Sequence, residues 1–317
     1  MYHIGLDIGG TKIIGALFNS EDEIVKTIKK KTKAREGVEV IFSQISKVID
    51  GLVENIDKDE ITSIGAGVPG IIDSENGIIV FSPNIPWNNY NLKNEIETKY
   101  GISCYIGNDV NVGVMGEWKY GSGIGYKNIV GIFVGTGIGG GLVLDGKMFE
   151  GKIGAAGEIG HINVIEDGPV CGCGARGCLE AVASKTAMQN EIIAQLKRGR
   201  ESLLKDMISQ TGEIIKSEQI KQAFEANDEL AVEIIESSAR HIGRAAASII
   251  NILNPEIIIF GGGVIESMED VFLPLIKKSA KKYSMPKLYE TCEMISAKLG
   301  DNAGLYGALT LAKTGDK

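Results

Sequence analysis

The residue types best suited to binding a metal gather in one short segment of the chain. One histidine and three cysteines lie within eighteen residues: His161, Cys171, Cys173 and Cys178. Thiolate sulfur and imidazole nitrogen are ligands that Zn²⁺ binds in tetrahedral sites, so this segment predicts a zinc site. Because the protein supplies all four ligands, no position is left for a reactive water. We therefore expect a structural rather than a catalytic metal.

Two glutamates flank this cluster, Glu158 before it and Glu180 after it. Either residue alone is typical of an exposed charge. A metal-bound loop would hold both carboxylates in place, however, and carboxylates accept hydrogen bonds from hydroxyl groups. Their positions therefore favour a polar substrate with several hydroxyls.

Two glycine-rich turns have the pattern of phosphate binding: DIGGTK at residues 7–12 and GTGIGGG at residues 135–141. Consecutive backbone N–H groups in such turns form an anion-binding concavity, and threonine adds a hydroxyl donor. Asp7 suits a hydrated Mg²⁺, which prefers oxygen ligands. The alternative is a pair of plain hairpin turns that need glycine. Two matching turns, one of them with Asp7 and Lys12, favour phosphate.

Two better-known phosphate motifs are excluded by the segment that comes after each turn. GLDIGGTK at residues 5–12 has the P-loop glycines, but its threonine and lysine are in the wrong order and a strand-like segment comes next. Gly135, Gly137 and Gly140 fit the dinucleotide fingerprint. They too precede a strand, where a Rossmann unit needs a helix, so we reject NAD binding. A third glycine string, at residues 261–263, indicates either a tight strand-to-helix turn or a nucleotide lying across bare backbone.

Asn108 and Asp109 close the apolar strand CYIG. Polar residues at the carboxyl end of a strand in an α/β protein occupy a favoured catalytic position. Asp109 could there accept the proton of a substrate hydroxyl as phosphoryl transfer begins. The alternative is an N-cap for the helix that comes next, which would contribute about 1 kcal/mol of stability. The phosphate turns elsewhere in the chain favour the catalytic interpretation.

An alternation of strands and helices must position these residues. Residues 3–19 predict strand, glycine turn and strand, and residues 128–151 predict the same order, which indicates an internal duplication. Beyond the cysteines the spacing of apolar residues is helical, and Asn254 and Pro255 break the longest helix. The chain is thus predicted to be α/β, with helices covering its sheets. Two such halves would bring the two turns face to face across a cleft.

Composition sets the broad class. The 317 residues are 44% hydrophobic and 23% charged, which is ordinary for a globular protein and long enough for two domains. A net charge of −8 argues against a nucleic-acid partner, and the basic run at residues 26–35 fits a solvated edge strand. We find neither an apolar run of about 18 residues nor a signal-peptide pattern. Five cysteines, three of them clustered, fit a reducing cytoplasm, so we expect a cytoplasmic protein.

Seven segments, in their order along the chain, resemble the ROK family of bacterial sugar kinases and sugar-responsive repressors, within the actin-like ATPases. They are DIGGTK (7–12), GVPG (67–70), NDVN (108–111), GTGIGGG (135–141), GEIGH (157–161), CGCGARGCLE (171–180) and FGGGV (260–264). The histidine together with CxCxxxxC is the most specific element. The resemblance is greatest to the members that phosphorylate glucose.

This resemblance implies two actin-like, ribonuclease H-like α/β ATPase domains that flank a cleft. We place a small N-terminal domain at residues 1–117 together with 302–317, and a large domain with the zinc loop at residues 118–301. The implied activity is ATP-dependent phosphorylation of a hexose, above all glucose to glucose 6-phosphate. Asp109 would be the general base that takes the proton from the sugar 6-hydroxyl.

The resemblance also assigns binding residues at matching positions of this sequence. Those implied for the sugar are Gly67, Asn84, Asn108, Asp109, Glu158, His161 and Glu180. Those implied for the nucleotide and its Mg²⁺ are Asp7, Gly9, Gly10, Thr11, Lys12, Gly135, Thr136, Gly137, Gly262 and Gly263. His161, Cys171, Cys173 and Cys178 would hold a structural Zn²⁺ that fixes the loop carrying the two glutamates.

The implied partners are a sugar and ATP, in a homodimer or homotetramer, with no nucleic acid and no membrane. Three alternatives stay open. They are a kinase for another sugar (N-acetylmannosamine, N-acetylglucosamine, fructose or allose), a sugar-responsive regulator, and an ATPase with no sugar substrate. The phosphoryl donor, ATP or polyphosphate, is equally open. Family regulators carry an N-terminal helix-turn-helix; the first strand here begins by residue 3, so we expect none.

Overall fold

The computed structural model describes residues 1–211 and 215–314, which form two compact α/β units. Unit 1 comprises Met1–Gly125, Gly141–Ala156 and Asp301–Lys317. Unit 2 comprises Tyr126–Gly140 and Gly157–Gly300. The α/β class predicted from the sequence is confirmed.

The helices and strands are numbered along the chain. The first part contains β1 (Tyr2–Ile8), β2 (Lys12–Phe18), β3 (Ile24–Lys31), α1 (Val38–Leu52), β4 (Ile61–Val68), β5 (Ile71–Asp73), β6 (Ile78–Phe81), β7 (Asn88–Asn91), α2 (Leu92–Tyr100), β8 (Ser103–Asn108) and α3 (Asp109–Tyr120). The second part contains β9 (Ile129–Val134), β10 (Ile138–Leu144), β11 (Lys147–Met148), α4 (Leu179–Ala183), α5 (Lys185–Lys197), α6 (Leu204–Thr211), α7 (Ser217–Glu225), α8 (Glu229–Leu253), β12 (Ile257–Gly261), α9 (Gly263–Tyr283), α10 (Pro286–Glu290), β13 (Glu293–Ser296) and α11 (Ala303–Thr314).

The main sheet of unit 1 has the strand order β3-β2-β1-β4-β8. β1, β2 and β3 are antiparallel neighbours, whereas β4 and β8 run parallel to β1. The central strands are buried on both faces, because α1 packs on β2 and β3 and α11 packs on β1 and β4. The edge strand β3 instead exposes Lys29, Lys30 and Lys31. The basic run is therefore the solvated edge strand that the sequence predicted, a placement that discourages pairing with another chain.

The second five-stranded sheet repeats this order as β11-β10-β9-β12-β13. Its strand β12 lies parallel to both β9 and β13. The central strand is β1 in the first sheet and β9 in the second. On one side it has the strand that comes next in the chain, β2 or β10, and on the other a later parallel strand, β4 or β12. The shared order agrees with the internal duplication indicated by the sequence.

The unit boundaries differ from the predicted ones at three places. Residues 118–125, residues 141–156 and Asp301, which we placed in the larger domain, belong to unit 1. Contacts explain the second difference: Ser74 Oγ donates a 2.9 Å hydrogen bond to Glu150 Oε2, and a Cβ at Gly154 would lie 2.1 Å from the Ile72 carbonyl. Sequence pattern could not show this boundary, because it falls inside the uninterrupted strand β10.

The longest helix ends where the sequence predicted. α8 ends at Leu253, and Asn254 adopts a left-handed backbone with φ of 43° immediately before Pro255. Helix α6 was not among the helices predicted from the sequence. Among the described residues, no helix is both long enough and apolar enough to cross a bilayer.

Candidate active site

Unit 1 aligns several candidate residues at one edge of its sheet. Asp7 at the end of β1 pairs with Gly67 on β4, and Gly67 pairs with Gly107 on β8. Asn108 and Asp109 come directly after. Because β1, β4 and β8 are parallel, their carboxyl ends share this edge, which is where α/β proteins place ligands.

The start of α3 separates the roles of Asn108 and Asp109. The Asn108 side chain is the N-cap: its Oδ1 accepts from the Val110 and Asn111 N–H groups at 3.0 and 3.1 Å, and its Nδ2 donates to the Gly70 carbonyl at 3.0 Å. Asp109 is the first helical residue, not the cap. Asp109 is the acidic residue in the first turn of this helix, where the helix dipole favours negative charge.

Asp7 lies in a charged group at the same edge. Burial raises the pKa of its carboxyl, the charge of Lys12 lowers it, and the charge of Asp301 raises it, with a net upward shift. Lys12 Nζ lies 3.4 Å from Asp301 Oδ1. A buried carboxyl whose ionised form is disfavoured is stabilised by a cation, so Asp7 can serve a metal–phosphate site. Asp301 was missed from sequence, because 289 residues separate it from Lys12.

Residues 9–12, the first turn, connect β1 and β2 and are fastened to Thr32. The Thr32 hydroxyl donates to the Gly9 carbonyl at 2.5 Å, and the Thr32 N–H donates to the Thr11 carbonyl at 3.0 Å. Thr32 is fully buried. The first turn is thus held by one buried residue that comes directly after β3.

The loop that carries Asn84 packs against the first turn. A Cβ at Gly10 would lie 3.2 Å from Asn84 Cβ and 3.3 Å from its carbonyl oxygen. The loop is anchored by Trp87, which is 1% exposed and stacks on Tyr90 with ring centroids 5.5 Å apart. The residue implied for sugar binding therefore lies beside a residue implied for phosphate binding within unit 1.

Residues 135–138, the second turn, connect β9 and β10 in unit 2. The start of α5 holds this turn: the Lys185 N–H donates to the Gly135 carbonyl at 2.9 Å, and the Thr186 hydroxyl donates to the Thr136 carbonyl at 2.8 Å. The strand predicted after this turn is confirmed: β10 stands where a Rossmann unit would need a helix.

Glu180 also contacts the second turn. Its Oε2 accepts from the Ile138 N–H at 3.0 Å. A Cβ at position 137 would lie 2.2 Å from this same oxygen, so only glycine fits there while Glu180 keeps its position. Glu180 Oε1 lies 3.8 Å from Cys171 Sγ. One carboxylate therefore contacts both the second turn and the cysteine cluster.

The four candidate metal ligands converge in unit 2. Their donor atoms all lie within 4.8 Å of one another. Cys171 Sγ lies 3.6 Å from His161 Nδ1, and Cys173 Sγ lies 3.8 Å from Cys178 Sγ. Tetrahedral zinc with bonds of about 2.3 Å to sulfur and about 2.1 Å to nitrogen requires ligand separations of about 3.6–3.8 Å. The donor set and these two separations are compatible with Zn²⁺.

The protonation of the buried Cys178 thiol bears on how the cluster would bind a cation. Burial raises the pKa of Cys178 to about 12, so its thiolate is disfavoured without a nearby cation. A bound divalent cation would stabilise the thiolate directly. His161 offers its Nδ1 to the cluster, while its Nε2 lies 3.8 Å from Glu158 Oε2. The two glutamates therefore contact the cluster residues, Glu158 through His161 and Glu180 through Cys171.

The third glycine string lies next to the second turn. Gly262 comes after β12 with a left-handed φ of 86°, and a Cβ there would lie 2.6 Å from the carbonyl oxygen of Val134, the residue before the turn. At Gly263, the first residue of α9, a Cβ would have no neighbour within 4 Å. This end of β12 accordingly combines a close backbone contact with open space for a ligand.

A protein-family model described as the ROK family matches residues 3–315. The chain belongs to the ROK family. It is 37% identical over 311 residues to a glucokinase of Thermotoga maritima, a match that covers 98% of this chain and 96% of the relative. It is 30% identical to a xylose repressor of Caldicellulosiruptor bescii, covering 97% of this chain and 77% of the repressor.

A solved structure of a ROK glucokinase from Streptomyces griseus, in complex with glucose and AMPPNP, superimposes on this chain with a TM-score of 0.83. The sequence identity is 31%, and the superposition covers 99% of this chain and all of the other. The actin-like α/β fold class predicted from the sequence is thereby confirmed.

Within this ROK chain, the candidate residues fall into two groups. Unit 1 brings together Asp7, the first turn, Gly67, Asn84, Asn108 and Asp109. Unit 2 brings together the second turn, Glu158, His161, Glu180, the cysteines and Gly262–Gly263. Asp301, Thr32 and Thr186 contact these groups and were not among the predicted residues.

Proposed function

We propose that this ROK-family sugar kinase transfers the γ-phosphoryl group of ATP to the 6-hydroxyl of glucose. The observation that carries the proposal is the location of Asp109, the first helical residue rather than the cap, at the carboxyl end of β8 on the edge where Asp7 and Gly67 also lie. The similarity to glucokinases, one of them solved with glucose and AMPPNP, supports the substrates.

In the proposed reaction, Asp109 accepts the proton of the 6-hydroxyl as its oxygen forms a bond to the γ-phosphorus. The bond between that phosphorus and the bridging oxygen breaks, and its electrons leave with ADP. Phosphoryl transfer needs positioning and charge neutralisation more than covalent help. The backbone N–H groups of Gly10, Thr11, Thr136 and Gly137, with the Lys12 side chain, would position the triphosphate and neutralise its charge.

Mg²⁺ would neutralise charge on the β- and γ-phosphates when it enters with ATP. Asp7 is the residue proposed to hold it through water. Burial raises the pKa of its carboxyl, and a bound cation would stabilise the ionised form. Gly262 and Gly263 are proposed to accommodate the adenosine beside the second turn.

Sugar recognition is proposed for Gly67, Asn84 and Asn108 of unit 1 and for Glu158, His161 and Glu180 of unit 2. The Asn84 loop supports this, since it packs on the first turn and would hold a hydroxyl near the phosphates. A structural Zn²⁺ at the cysteine cluster is proposed on the fit of four ligand atoms. It would fix the loop that carries the two glutamates.

A coupled assay for ADP release across a panel of hexoses and N-acetylhexosamines tests the proposal. We expect glucose to give the highest kcat/KM with ATP as donor, and polyphosphate to be a poor donor. A higher kcat/KM for another sugar would reassign the substrate. ADP release that no sugar accelerates would overturn the proposal in favour of a plain ATPase.

A sugar-responsive regulator is the second candidate, because the xylose repressor matches across 97% of this chain. A gel-shift assay with the pure protein and fragmented genomic DNA, with and without sugar, tests it. A sequence-specific shift released by sugar would favour regulation over catalysis.

A further inference from the structure

Helix α5 orients two consecutive peptide groups of the second turn. It binds both turn carbonyls, that of Gly135 through the Lys185 N–H and that of Thr136 through the Thr186 hydroxyl. Every described peptide bond in the chain is trans. In a trans peptide the C=O and the N–H of the next residue point in opposite directions.

The direction of these carbonyls decides where the turn can bind an anion. Because the two carbonyls point toward α5, the N–H groups of Thr136 and Gly137 point to the opposite side. Two neighbouring N–H groups with one direction form the concavity that binds phosphate oxygen. If either carbonyl lost its partner, the peptide could rotate and the concavity would lose a donor.

We propose that Thr186 is a positioning residue for nucleotide binding: its hydroxyl fixes the Thr136 peptide so that the Gly137 N–H faces a phosphate oxygen. The proposal deepens the proposed function and rests on it, since it takes the second turn as a phosphate site. Thr186 itself touches neither substrate. It acts through one backbone carbonyl.

The cysteine cluster is connected to the second turn, the proposed phosphate site, through two consecutive helices. Cys178 is the N-cap residue of α4, and Ser184, directly after α4, is the N-cap of α5 with its Oγ 3.1 Å from the Ala187 N–H. Thr186 is thus separated from a metal ligand by one short helix. Glu180, a residue of α4 itself, adds a direct contact between this helix and the second turn.

The test is the affinity for MgAMP-PNP measured by calorimetry without sugar. Thr186→Val keeps the side-chain shape and removes the hydroxyl, so the Thr136 carbonyl loses a hydrogen bond of about 1 kcal/mol, which corresponds to about a fivefold higher Kd. Thr186→Ser keeps the hydroxyl and should stay within about twofold of the unmodified protein. Zinc content and the KM for glucose should be unchanged in both variants.

Thr291→Val is the matched control, since it removes an exposed threonine hydroxyl that donates to the Leu288 carbonyl at 3.0 Å elsewhere in unit 2. Its MgAMP-PNP affinity should equal that of the unmodified protein. An unchanged Kd in Thr186→Val would overturn the proposal. So would equal losses in Thr186→Val and Thr186→Ser, because a structural disturbance then explains both.

The outcome also separates this inference from the proposed function. If the unmodified protein phosphorylates glucose while Thr186→Val binds nucleotide normally, the positioning role fails and the kinase stands. If no sugar is phosphorylated but Thr186→Val weakens nucleotide binding selectively, the kinase assignment fails and the role of Thr186 stands.

Discussion

The two glycine turns are both held through their backbone carbonyls, but by residues that differ in burial. In each turn, one threonine hydroxyl and one backbone N–H donate to two turn carbonyls. Thr32 supplies both donors in unit 1. In unit 2 the hydroxyl belongs to Thr186 and the N–H to Lys185. Thr32 is fully buried, whereas Thr186 is exposed. The second turn has an additional contact with Glu180, which lies against the cysteine cluster.

The difference indicates two sources of rigidity. The first turn depends on a hydrogen bond from a fully buried side chain, that of Thr32. The second turn is held by the start of α5, and the proposed Zn²⁺ at the cysteine cluster would help to fix the position of that helix start. We therefore expect the first turn to be sensitive to single side chains and the second to be sensitive to metal.

The largest effect should come from neither turn but from the residue assigned to chemistry. Asp109→Asn keeps the shape of the side chain and removes the proton acceptor, so kcat should fall by about a thousandfold or more while the Kd for glucose changes by less than about fivefold. Steady-state kinetics and glucose calorimetry measure this. A kcat within about tenfold of normal would remove Asp109 from the role of base.

The next largest effect should come from loss of the metal, which we expect to weaken the second turn more than the first. Cys178→Ser removes a buried ligand, so we expect loss of zinc by elemental analysis, a lower Tm, and weaker binding of both glucose and MgAMP-PNP. Cys292→Ser changes another buried cysteine outside the cluster and should retain about one zinc per chain. Normal nucleotide affinity in zinc-free Cys178→Ser would show that the second turn does not depend on the metal loop.

The first turn should respond strongly to its single anchor. Thr32→Val leaves the Gly9 carbonyl without its buried donor, which costs about 1–3 kcal/mol, so Tm should fall and the Kd for MgAMP-PNP should rise by more than in Thr186→Val. Thr27→Val, an exposed change on β3, serves as control and should leave both quantities unchanged. Equal effects at Thr32 and Thr186 would show that burial does not distinguish the turns.

The smallest effect concerns the pH dependence of unit 1. The raised folded-state pKa of Asp7 means that the folded protein binds a proton more tightly than the unfolded chain, so this group reduces stability as pH rises above about 4. Asp7→Asn removes that penalty. Without ligands its Tm should exceed that of the unmodified protein by a few degrees at pH 7, and the gain should vanish near pH 3.

Asp301→Asn is the control for this measurement, because Asp301 is exposed and acts on Asp7 only through its charge. It should give a smaller gain in Tm at pH 7. A lower Tm for Asp7→Asn in the absence of ligands would contradict the assigned direction of the pKa shift.

Local signals in the sequence were sufficient for some of these features and insufficient for others. The location of Asp109 could be predicted from the apolar run that ends before it, and the metal cluster from ligand spacing. Asp301 and Thr32 lie far along the chain from the residues they contact, and each is an ordinary polar residue in its own segment. Thr32 reaches the first turn through the pairing of β2 with β3, and Asp301 through the packing of α11 on β1 and β4. No short-range pattern records either contact.

The burial of Trp87 beside Tyr90 gives the Asn84 loop an optical property. The chain contains two tryptophans, Trp87 and Trp118, and only the first lies in this loop. Indole emission depends on the polarity and the stacking around the ring. A variant that retains Trp87 alone would therefore report, through its own fluorescence and without an added dye, whether the loop around Asn84 changes its surroundings during turnover.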